Sequence, residues 1–395
     1  MKKTILFVMN KLICGGAEKS LISLLETIDY SQYEVDLLLF KQEGLFLNKV
    51  PKQVNLLEEP FGYKYFDMPI KTAIIDNVTK GRLDIAISRI LAGYIFKNEK
   101  NKARCEQRVW KYISKSLNTM DKRYDIAIGF LEKNPIYFCV DKVDAEKKIG
   151  FIHSDYDMLG MDPKIDKYYF EKLSKIVTVS EESANILKRK FLNLSSKIQV
   201  MHNIVAPRVI KKLALESVNK IQSNTITIIS VGRLHYAKGY DLAIGACELL
   251  IKNGYDIKWF IIGEGEEREK LEQLIKNKGL KKNFILIGMQ ENPYPYVREA
   301  DIFVQSSRFE GKSIAIDEAK ILQKPIVVTN FNTAKDQITN MVNGIIVDID
   351  SQSIYEGIKT IINDDELKER LKSNLENESL GTESEITKLY EIINK

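Results

Sequence analysis

Two basic residues follow a short apolar segment in the second half of the chain. Residues 225–231 have the composition of a buried strand, Gly232 and Arg233 come directly after it, and Lys238 follows five residues later. An arginine fork and a lysine point charge at the end of one strand can together bind a diphosphate. Two solvated loop cations would give the same pattern, so these residues alone leave both interpretations open.

A helix predicted to begin at Ile314 supplies a second candidate anion site. Ser313 precedes the helix as a candidate N-cap, and Lys324 and Pro325 follow its end. The amide groups of Ile314 and Ala315 at the start of such a helix have no acceptor inside it, so they can bind an anion.

Glu310 and Glu318 flank the start of this helix, eight residues apart. Carboxylates there can accept hydrogen bonds from neutral hydroxyl groups, such as those of a sugar and a ribose. A glycosidase also uses two carboxylates, but eight helical residues span ~12 Å, whereas the pair in a hydrolase lies about 5–9.5 Å apart. The spacing therefore disfavours a glycosidase.

The remaining candidate residues lie after predicted strands of the first half. His153 directly follows strand 147–152, where a side chain can reach a ligand. Gly15 and Gly16 follow strand 4–9 and either admit a ligand to backbone amides or form a tight turn. The three histidines lack metal-ligand spacing, and the acidic triplets 155–157 and 348–350 are interpreted as loop carboxylates, so no metal site is predicted.

Short apolar segments alternate with helical periodicity, which predicts βαβ units in two doubly wound α/β domains. A chain of 395 residues is also too long for one core. The predicted strands are 4–9, 35–40, 125–130, 147–152 and 176–179 in the first half, and 225–231, 257–262, 284–287, 302–305, 326–329 and 345–347 in the second.

The same pattern sets the predicted domain limits. Rossmann-like domains are predicted over residues 1–205 and 225–375, with a linker over 206–224 between them. Residues 60–123 lack strand signals and are predicted to be a helical insertion in the first domain. Residues 376–395 are predicted to form a terminal helix that packs back toward that domain.

Composition excludes several classes of protein. Hydrophobic residues make up 44% and charged residues 29% of the chain, which excludes a disordered protein. No segment reaches the ~18 apolar residues of a membrane span, and the first apolar segment is too short for a signal peptide. Four cysteines without disulfide or metal spacing favour a reducing, cytoplasmic environment.

The charge is unevenly distributed. The net charge of +5 is too small for a committed nucleic-acid binder. Residues 1–205 carry 33 Lys and Arg against 26 Asp and Glu, a net +7, and the remainder carries 26 against 28, a net −2. This asymmetry suggests that the first half faces an anionic partner.

The ordered set of motifs resembles the retaining glycosyltransferases of family 4, which have the GT-B fold. The resemblance runs over nearly the whole chain and rests on Gly15-Gly16-Ala17-Glu18, His153, Val179-Ser180-Glu181, Ser230-Val231-Gly232-Arg233 with Lys238-Gly239, the Glu-x7-Glu signature from Glu310 to Glu318, and Asn343-Gly344. There are two departures: Ser313 stands where the family usually has glycine, and Asn203 is followed by Ile204 rather than glycine.

The resemblance implies two domains facing across a cleft, the first for an acceptor and the second for a nucleotide sugar, by default UDP-linked. It implies transfer to a glycan or lipid-linked glycan in bacterial cell-surface polysaccharide synthesis, with no metal and no cofactor. Catalysis would use Glu310, His153, Arg233 and Lys238. The donor would contact Gly16, Arg233, Lys238, Glu310, Ser313, Ile314, Ala315 and Glu318.

Two other functions remain compatible with the sequence. One is a GT-B relative of different chemistry, such as a nucleotide-sugar epimerase or a phosphorylase; the paired glutamates and the glycine loop favour transfer over it. The other is a non-catalytic subunit, which the presence of Arg233, Lys238, Glu310 and Glu318 disfavours.

A basic stripe is predicted on a helix over residues 97–120. At about 100° per residue, six basic residues fall within a sector of about 80° opposite an apolar side. A solvated outer face explains this pattern as well as a binding surface does, but aromatic residues in 61–66 are typical of membrane interfaces. We therefore predict peripheral binding to the anionic inner face of the cell membrane through Lys97, Lys100, Arg104, Arg108, Lys111 and Lys115.

Overall fold

Apolar and amphipathic segments alternate in both halves of the chain, and each half folds into one parallel sheet whose strands are connected mainly by helices. A computed structural model describes residues 2–13, 15–217 and 225–394. Within these residues the chain divides into two units. The first unit contains 2–13, 17–202 and 385–394, and the second contains 15–16, 203–217 and 225–384.

The first sheet has seven strands: β1 (Lys3–Met9), β2 (Tyr33–Leu39), β3 (Asn55–Leu56), β4 (Tyr124–Gly129), β5 (Ala145–Ile152), β6 (Lys175–Thr178) and β7 (Ile198–Val200). Their order is β3-β2-β1-β4-β5-β6-β7. The order reverses between β1 and β4, and such a switch point creates a crevice at the carboxyl ends of the strands. The sequence missed β3 and β7 because edge strands this short leave no apolar pattern.

The helices of the first unit are α1 (Gly16–Thr27), α2 (Lys64–Asp67), α3 (Ile70–Thr79), α4 (Leu83–Asn98), α5 (Lys102–Ile113), α6 (Asn134–Lys142), α7 (Tyr156–Leu159), α8 (Pro163–Phe170) and α9 (Glu181–Lys190). Helices α2 to α5 lie between β3 and β4, where the helical insertion was predicted. In the described residues no helix has the length and hydropathy needed to cross a membrane.

The single helix predicted over residues 97–120 is wrong. Helix α4 ends at Asn98, and α5 begins at Lys102 after a break over residues 99–101. Asn101 is the N-cap residue of α5. Its side-chain oxygen accepts a hydrogen bond from the amide of Arg104 at 2.8 Å. The short 3-10 turn Ser114–Ser116 follows α5. Because asparagine favours the N-cap over the helix interior, it starts a new helix here.

The predicted stripe is therefore divided, and two of its cations have partners. Arg104 donates to the carbonyl of Gly160 at 3.2 Å, and Arg108 pairs with Glu99 at 2.7 Å. The other members of the stripe are exposed, and they lie on α4, between the helices, on α5 and in the 3-10 turn: Lys97, Lys100, Lys111 and Lys115.

The second sheet has six strands: β8 (Ile226–Val231), β9 (Ile257–Ile262), β10 (Phe284–Gly288), β11 (Ile302–Gln305), β12 (Ile326–Thr329) and β13 (Ile345–Val347). Each agrees with its predicted range within one residue. Their order is β10-β9-β8-β11-β12-β13, all parallel, with the switch point between β8 and β11. The helices are α10 (Pro207–Leu213), α11 (Tyr240–Lys252), α12 (Arg268–Asn277), α13 (Tyr294–Glu299), α14 (Ile314–Ile321), α15 (Ser351–Asn363) and α16 (Asp365–Glu376).

The linker predicted over 206–224 is wrong for its first part. Residues 207–213 form α10, where Ile210 packs in one apolar cluster with Tyr294, Ile314 and Ile321 of the second unit. Burial of this apolar face makes the segment part of that unit. Residues 218–224 lie outside the described residues.

The C-terminus differs from the predicted helix over 376–395. Helix α16 runs to Glu376 within the second unit, and a separate helix, α17 (Glu385–Asn394), belongs to the first. The Tyr390 ring stacks on that of Tyr33 with centroids 5.3 Å apart, and its hydroxyl accepts a hydrogen bond from the Asp29 amide at 2.8 Å. The last helix thus completes the first unit.

Candidate functional site

An ion pair between Lys238 and Glu310 joins the two motifs of the second unit. Lys238 lies in the 3-10 turn after β8, and Glu310 lies in the loop after β11. The two strands are neighbours in the sheet, so loops 72 residues apart in sequence meet. The Lys238 Nζ and Glu310 Oε1 atoms are 2.5 Å apart, with side chains only 20% and 13% exposed. The pair places a cation, which can bind a phosphate, beside a carboxylate, which can accept hydrogen bonds from hydroxyl groups.

Two neutral side chains hold the Glu310 carboxylate in place. Ser307 Oγ and Gln305 Nε2 donate to Glu310 Oε1 at 2.6 and 3.0 Å. Both residues are buried, and Gln305 ends β11. Sequence reasoning missed them, although a polar residue that closes an otherwise apolar strand was a usable signal. Locked partners of this kind fix the orientation of a binding group before the ligand arrives.

Arg308 ties the loop after β11 to the loop after β8. Its guanidinium binds both carboxylate oxygens of Asp241, at 2.8 and 2.6 Å, and it lies 4.2 Å from the centroid of the Tyr236 ring. Burial by itself would raise the pKa of Asp241, but the hydrogen bonds from Arg308 outweigh it and hold that pKa below its usual value. The Asp241 carboxylate therefore stays charged, and its ion pair with Arg308 holds the two segments together.

Gly239 permits the closest approach of these loops. Its φ is +62°, and a Cβ there would lie 2.1 Å from the carbonyl oxygen of Ser306. The hydroxyl of Ser306 donates to the carbonyl of Lys238 at 2.9 Å. Only glycine satisfies both the backbone conformation and the contact.

Arg233 lies on the same side of the sheet but does not join the ion pair. It is exposed, and in the part of the chain that the structure describes it forms neither a hydrogen bond nor an ion pair. Its loop is fixed by its neighbour, because the amide of Leu234 donates to the carbonyl of Glu264 at 3.0 Å. The guanidinium is therefore available to an anion.

Ser313 occupies the N-cap position of α14, as predicted, and its side chain makes no capping hydrogen bond. The side-chain amide of Gln337 accepts from the backbone amide of Ser313 at 2.9 Å and donates to its carbonyl at 2.8 Å. The first amides of the helix, at Ile314 and Ala315, lack acceptors within it, as at any helix start.

Glu318 is buried in α14, apart from the cluster around Glu310. Its Oε1 accepts a hydrogen bond from the hydroxyl of Tyr294, at 3.0 Å, at the start of α13. Tyr294 was not identified from the sequence, because nothing in the spacing links it to Glu318. The structure thus separates the two glutamates into different environments.

In the first unit, His153 follows β5 and is held by Glu132, which the sequence analysis missed. The His153 amide and the Ser154 hydroxyl donate to the two Glu132 carboxylate oxygens at 3.2 and 2.7 Å. The imidazole lies 4.9 Å from the Phe130 ring, centroid to centroid. The imidazole therefore packs against Phe130 at the carboxyl end of β5. Gly16, the first residue of α1, is grouped with the second unit.

The acidic triplets serve helix starts. Asp155 accepts hydrogen bonds from the amides of Asp157 and Met158, and Asp350 accepts from the amide of Ser353. Across residues 2–13, 15–217 and 225–394, no group of three or more His, Cys, Asp or Glu side chains is arranged to hold a metal ion.

Part of the second unit is similar to a known family. Residues 212–378 match the family described as "Glycosyl transferases group 1". A Campylobacter jejuni N-acetylgalactosamine-N,N'-diacetylbacillosaminyl-diphospho-undecaprenol 4-alpha-N-acetylgalactosaminyltransferase is 30% identical over 206 residues, which are 52% of this chain and 55% of that protein. A Staphylococcus aureus poly(ribitol-phosphate) alpha-N-acetylglucosaminyltransferase is 26% identical over 265 residues, 63% of this chain and 51% of the relative.

The whole chain also matches a solved structure. The crystal structure of an S. aureus TarM mutant with fondaparinux, alpha-GlcNAc-glycerol and UDP superposes with a TM-score of 0.68 at 17% identity, covering 100% of both chains. In sequence, the chain spans about half the length of the curated relatives it matches. The chain therefore has the two-domain fold of the GT-B glycosyltransferases, and its second unit contains a region similar to glycosyl transferases of group 1.

Proposed function

We propose that this protein is a retaining glycosyltransferase that moves a sugar from a UDP-linked donor to a glycan or lipid-linked glycan. The observation that carries the proposal is the Lys238–Glu310 pair at the carboxyl ends of β8 and β11, within the region similar to glycosyl transferases. The relatives named above include enzymes that act on a diphospho-undecaprenol and on poly(ribitol phosphate), which supports a cell-surface polysaccharide acceptor.

The proposed chemistry needs no protein nucleophile. The bond between the sugar anomeric carbon and the diphosphate oxygen breaks, and the acceptor hydroxyl attacks the same face. Its proton passes to the departing phosphate oxygen, so the anomeric configuration is retained. Lys238, Arg233 and the amides of Ile314 and Ala315 would neutralise the charge that develops on the leaving diphosphate.

The remaining site residues take binding roles in this proposal. Glu310 would accept hydrogen bonds from the sugar hydroxyls and Glu318 from the ribose, with Ser313 and Gly16 in the donor site. His153 would take part in catalysis. We also propose that the enzyme acts in the cytoplasm at the inner face of the cell membrane, where lipid-linked acceptors are held.

A donor-binding assay tests the proposal. Among a panel of nucleotide sugars, one UDP-sugar at 100 times its Kd should stabilise the protein by about 2.7 kcal/mol, and an acceptor should then release free UDP. Lys238→Ala should weaken UDP binding by roughly 1.5–3 kcal/mol, while Lys252→Ala, at an exposed lysine of α11, should not. No binding and no UDP release with any nucleotide sugar would overturn it.

Metal independence is tested separately. Because two cations and a helix start supply positive charge, transfer should continue in excess EDTA. Loss of activity with EDTA that manganese restores would show that the diphosphate is carried by a metal ion instead.

A further inference from the structure

The outer surface of α3 and α4 carries a cluster of exposed apolar side chains. Of the twenty large apolar residues that are exposed within the described chain, ten lie between residues 61 and 96. Seven of these, between 43% and 71% exposed, form what we term the α3–α4 apolar face: Ile75, Val78, Leu83, Ile87, Ile90, Leu91 and Tyr94. Proteins rarely leave an apolar patch of several hundred Å² open to water without a binding role.

Most of the large apolar side chains of helix α4 lie on its outer side, although Ile85 is buried and Ile95 packs against the core. Five residues of the α3–α4 apolar face belong to α4: Leu83, Ile87, Ile90, Leu91 and Tyr94. Successive members are four, three, one and three residues apart, which places them on one side of the helix. The side that packs against the rest of the unit contains one large apolar residue, Ile85, and is otherwise small or polar, with Ala86, Ser88, Arg89 and Ala92.

A polar anchor holds α4 in this orientation. The guanidinium of Arg89 is buried and donates to the carbonyls of Tyr65 at 2.8 Å and Met68 at 3.0 Å. A helix that only covered a core would have its large apolar residues on the inner side alone. The anchor therefore keeps the apolar face directed outward.

The segment that carries this face has a net positive charge. Residues 70–102 contain seven Lys and Arg and three Asp and Glu, a net +4. Lys71, Lys97 and Lys100 are exposed and form no ion pair with any residue that the structure describes. The exposed ring of Phe61 lies beside two further cations, Lys64 and Arg82, at 4.8 and 4.6 Å from its centroid. An anionic surface complements this rim, whereas a second copy of the chain would oppose cations to cations.

We propose that the α3–α4 apolar face inserts into the interfacial layer of an anionic lipid bilayer. The apolar side chains enter below the headgroups, while the lysines of the rim extend to the lipid phosphates. The inference rests on the proposed function only for its biological setting, because vesicle binding needs no donor or acceptor. Binding through the divided basic stripe would be purely electrostatic. Insertion of the apolar face is instead weakened but not abolished by high salt.

Vesicle sedimentation of the full-length protein tests the proposal. The protein should bind vesicles of phosphatidylcholine with phosphatidylglycerol and retain measurable binding in high salt. The double variant Ile87→Glu, Leu91→Glu places charges in the face and should lower binding about tenfold or more. Leu192→Glu, at a residue that is 74% exposed elsewhere in the first unit, is the matched control and should bind like the wild type.

Two further variants separate the roles of the face and the rim. Tyr94→Trp should show a blue-shifted emission on binding and quenching by brominated acyl chains, because the ring enters the bilayer. Replacing Lys71, Lys97 and Lys100 by Gln should reduce binding to anionic vesicles and leave the weaker binding to pure phosphatidylcholine unchanged.

Several results would overturn the proposal. They are unchanged binding by the double variant, an equal loss in the Leu192→Glu control, and no quenching in Tyr94→Trp. Light scattering that shows a wild-type dimer, dissociated by the double variant, with no vesicle binding would assign the face to a second copy. UDP-sugar binding by the double variant is measured in parallel. If that binding is retained, failure of membrane insertion leaves the proposed transfer intact.

Discussion

Glu310 and Lys238 show how one residue of the site constrains another. The carboxylate accepts hydrogen bonds from Lys238, Ser307 and Gln305 at the same oxygen, Oε1. The neighbouring ammonium group is thus partly occupied before any diphosphate binds. Two roles are compatible with this arrangement: Glu310 either holds the sugar directly or acts on the nucleotide through Lys238.

Glu310→Gln should separate these roles. The glutamine amide has the shape of the carboxylate but no charge. Lys238 therefore loses its ion pair and becomes available to a phosphate, while the hydrogen bonds to the sugar hydroxyls become weaker. We expect turnover to fall about 100-fold, with the Kd for UDP unchanged or lower, as measured by UDP release and by calorimetry. Glu272→Gln, at an exposed residue of α12, is the control and should change neither quantity. Equal losses of turnover and UDP affinity would contradict the sugar-binding role.

Lys324 gives the second unit a predictable pH dependence. Burial lowers the pKa of its ammonium group to about 8, and Nζ donates to the carbonyls of Arg298 and Ala300. In the unfolded chain this pKa is about 10.4. Between these values the unfolded state binds more protons, so the free energy of unfolding should rise with pH.

The comparison with a variant isolates this effect. From pH 7 to pH 10 the stability contributed by Lys324 should increase by about 2.5 kcal/mol, and Lys324→Met should lack that increase in urea titrations. Lys252→Met, at an exposed lysine, should keep the slope of the wild type. A wild-type slope in Lys324→Met would mean that other groups produce the pH dependence.

At the scale of elements, the loop after β8 depends on Gly239. Gly239→Ala must adopt a φ of +62° and push a methyl group to 2.1 Å from the Ser306 carbonyl oxygen. The backbone conformation alone costs roughly 1–2 kcal/mol, and the contact adds to it by displacing Lys238. We expect both a lower free energy of unfolding and weaker UDP binding.

Gly254 provides the matched control for this prediction. Its φ is +83°, and a Cβ there would meet nothing within 4 Å. Gly254→Ala should therefore lower the free energy of unfolding through its backbone conformation alone, without a steric clash, and should bind UDP like the wild type. If both alanine variants lose the same stability and the same affinity, close approach of the two loops has no part in donor binding.

At the scale of the whole molecule, the chain returns to its first unit for its last helix. Tyr390 of α17 stacks on Tyr33 and contacts Asp29. Tyr390→Ala should destabilise the first unit by roughly 2–3 kcal/mol and leave the affinity of the second unit for UDP unchanged.

Calorimetry with and without UDP should assign the effect to one unit. UDP should raise the unfolding temperature of the unit that binds it. Tyr390→Ala should lower the unfolding temperature of the other unit. Tyr94→Ala, at a tyrosine that is 71% exposed, is the control and should leave both transitions in place in the absence of lipid. A shift of the UDP-sensitive transition would show that α17 stabilises the second unit instead.

The sequence by itself determined the two parallel sheets and the loops that carry the candidate site. Strands such as β9 and β12 were predicted at their observed limits, because an apolar segment between turn residues is a local signal. Arg233, Lys238 and Glu310 were identified because they follow such strands, and parallel strands gather their carboxyl ends at one edge.

Tertiary structure alone decided which side chains meet and which face is left outside. Gln305 and Ser307 bind Glu310, and Gln337 binds the backbone of Ser313 before α14, through contacts within or between loops that spacing does not encode. Asn101 interrupts the predicted long helix because a capping hydrogen bond competes with helix continuation. The outward apolar face of α4 was also invisible in the sequence, because periodicity shows that a helix has two sides but not which side packs against the rest of the protein.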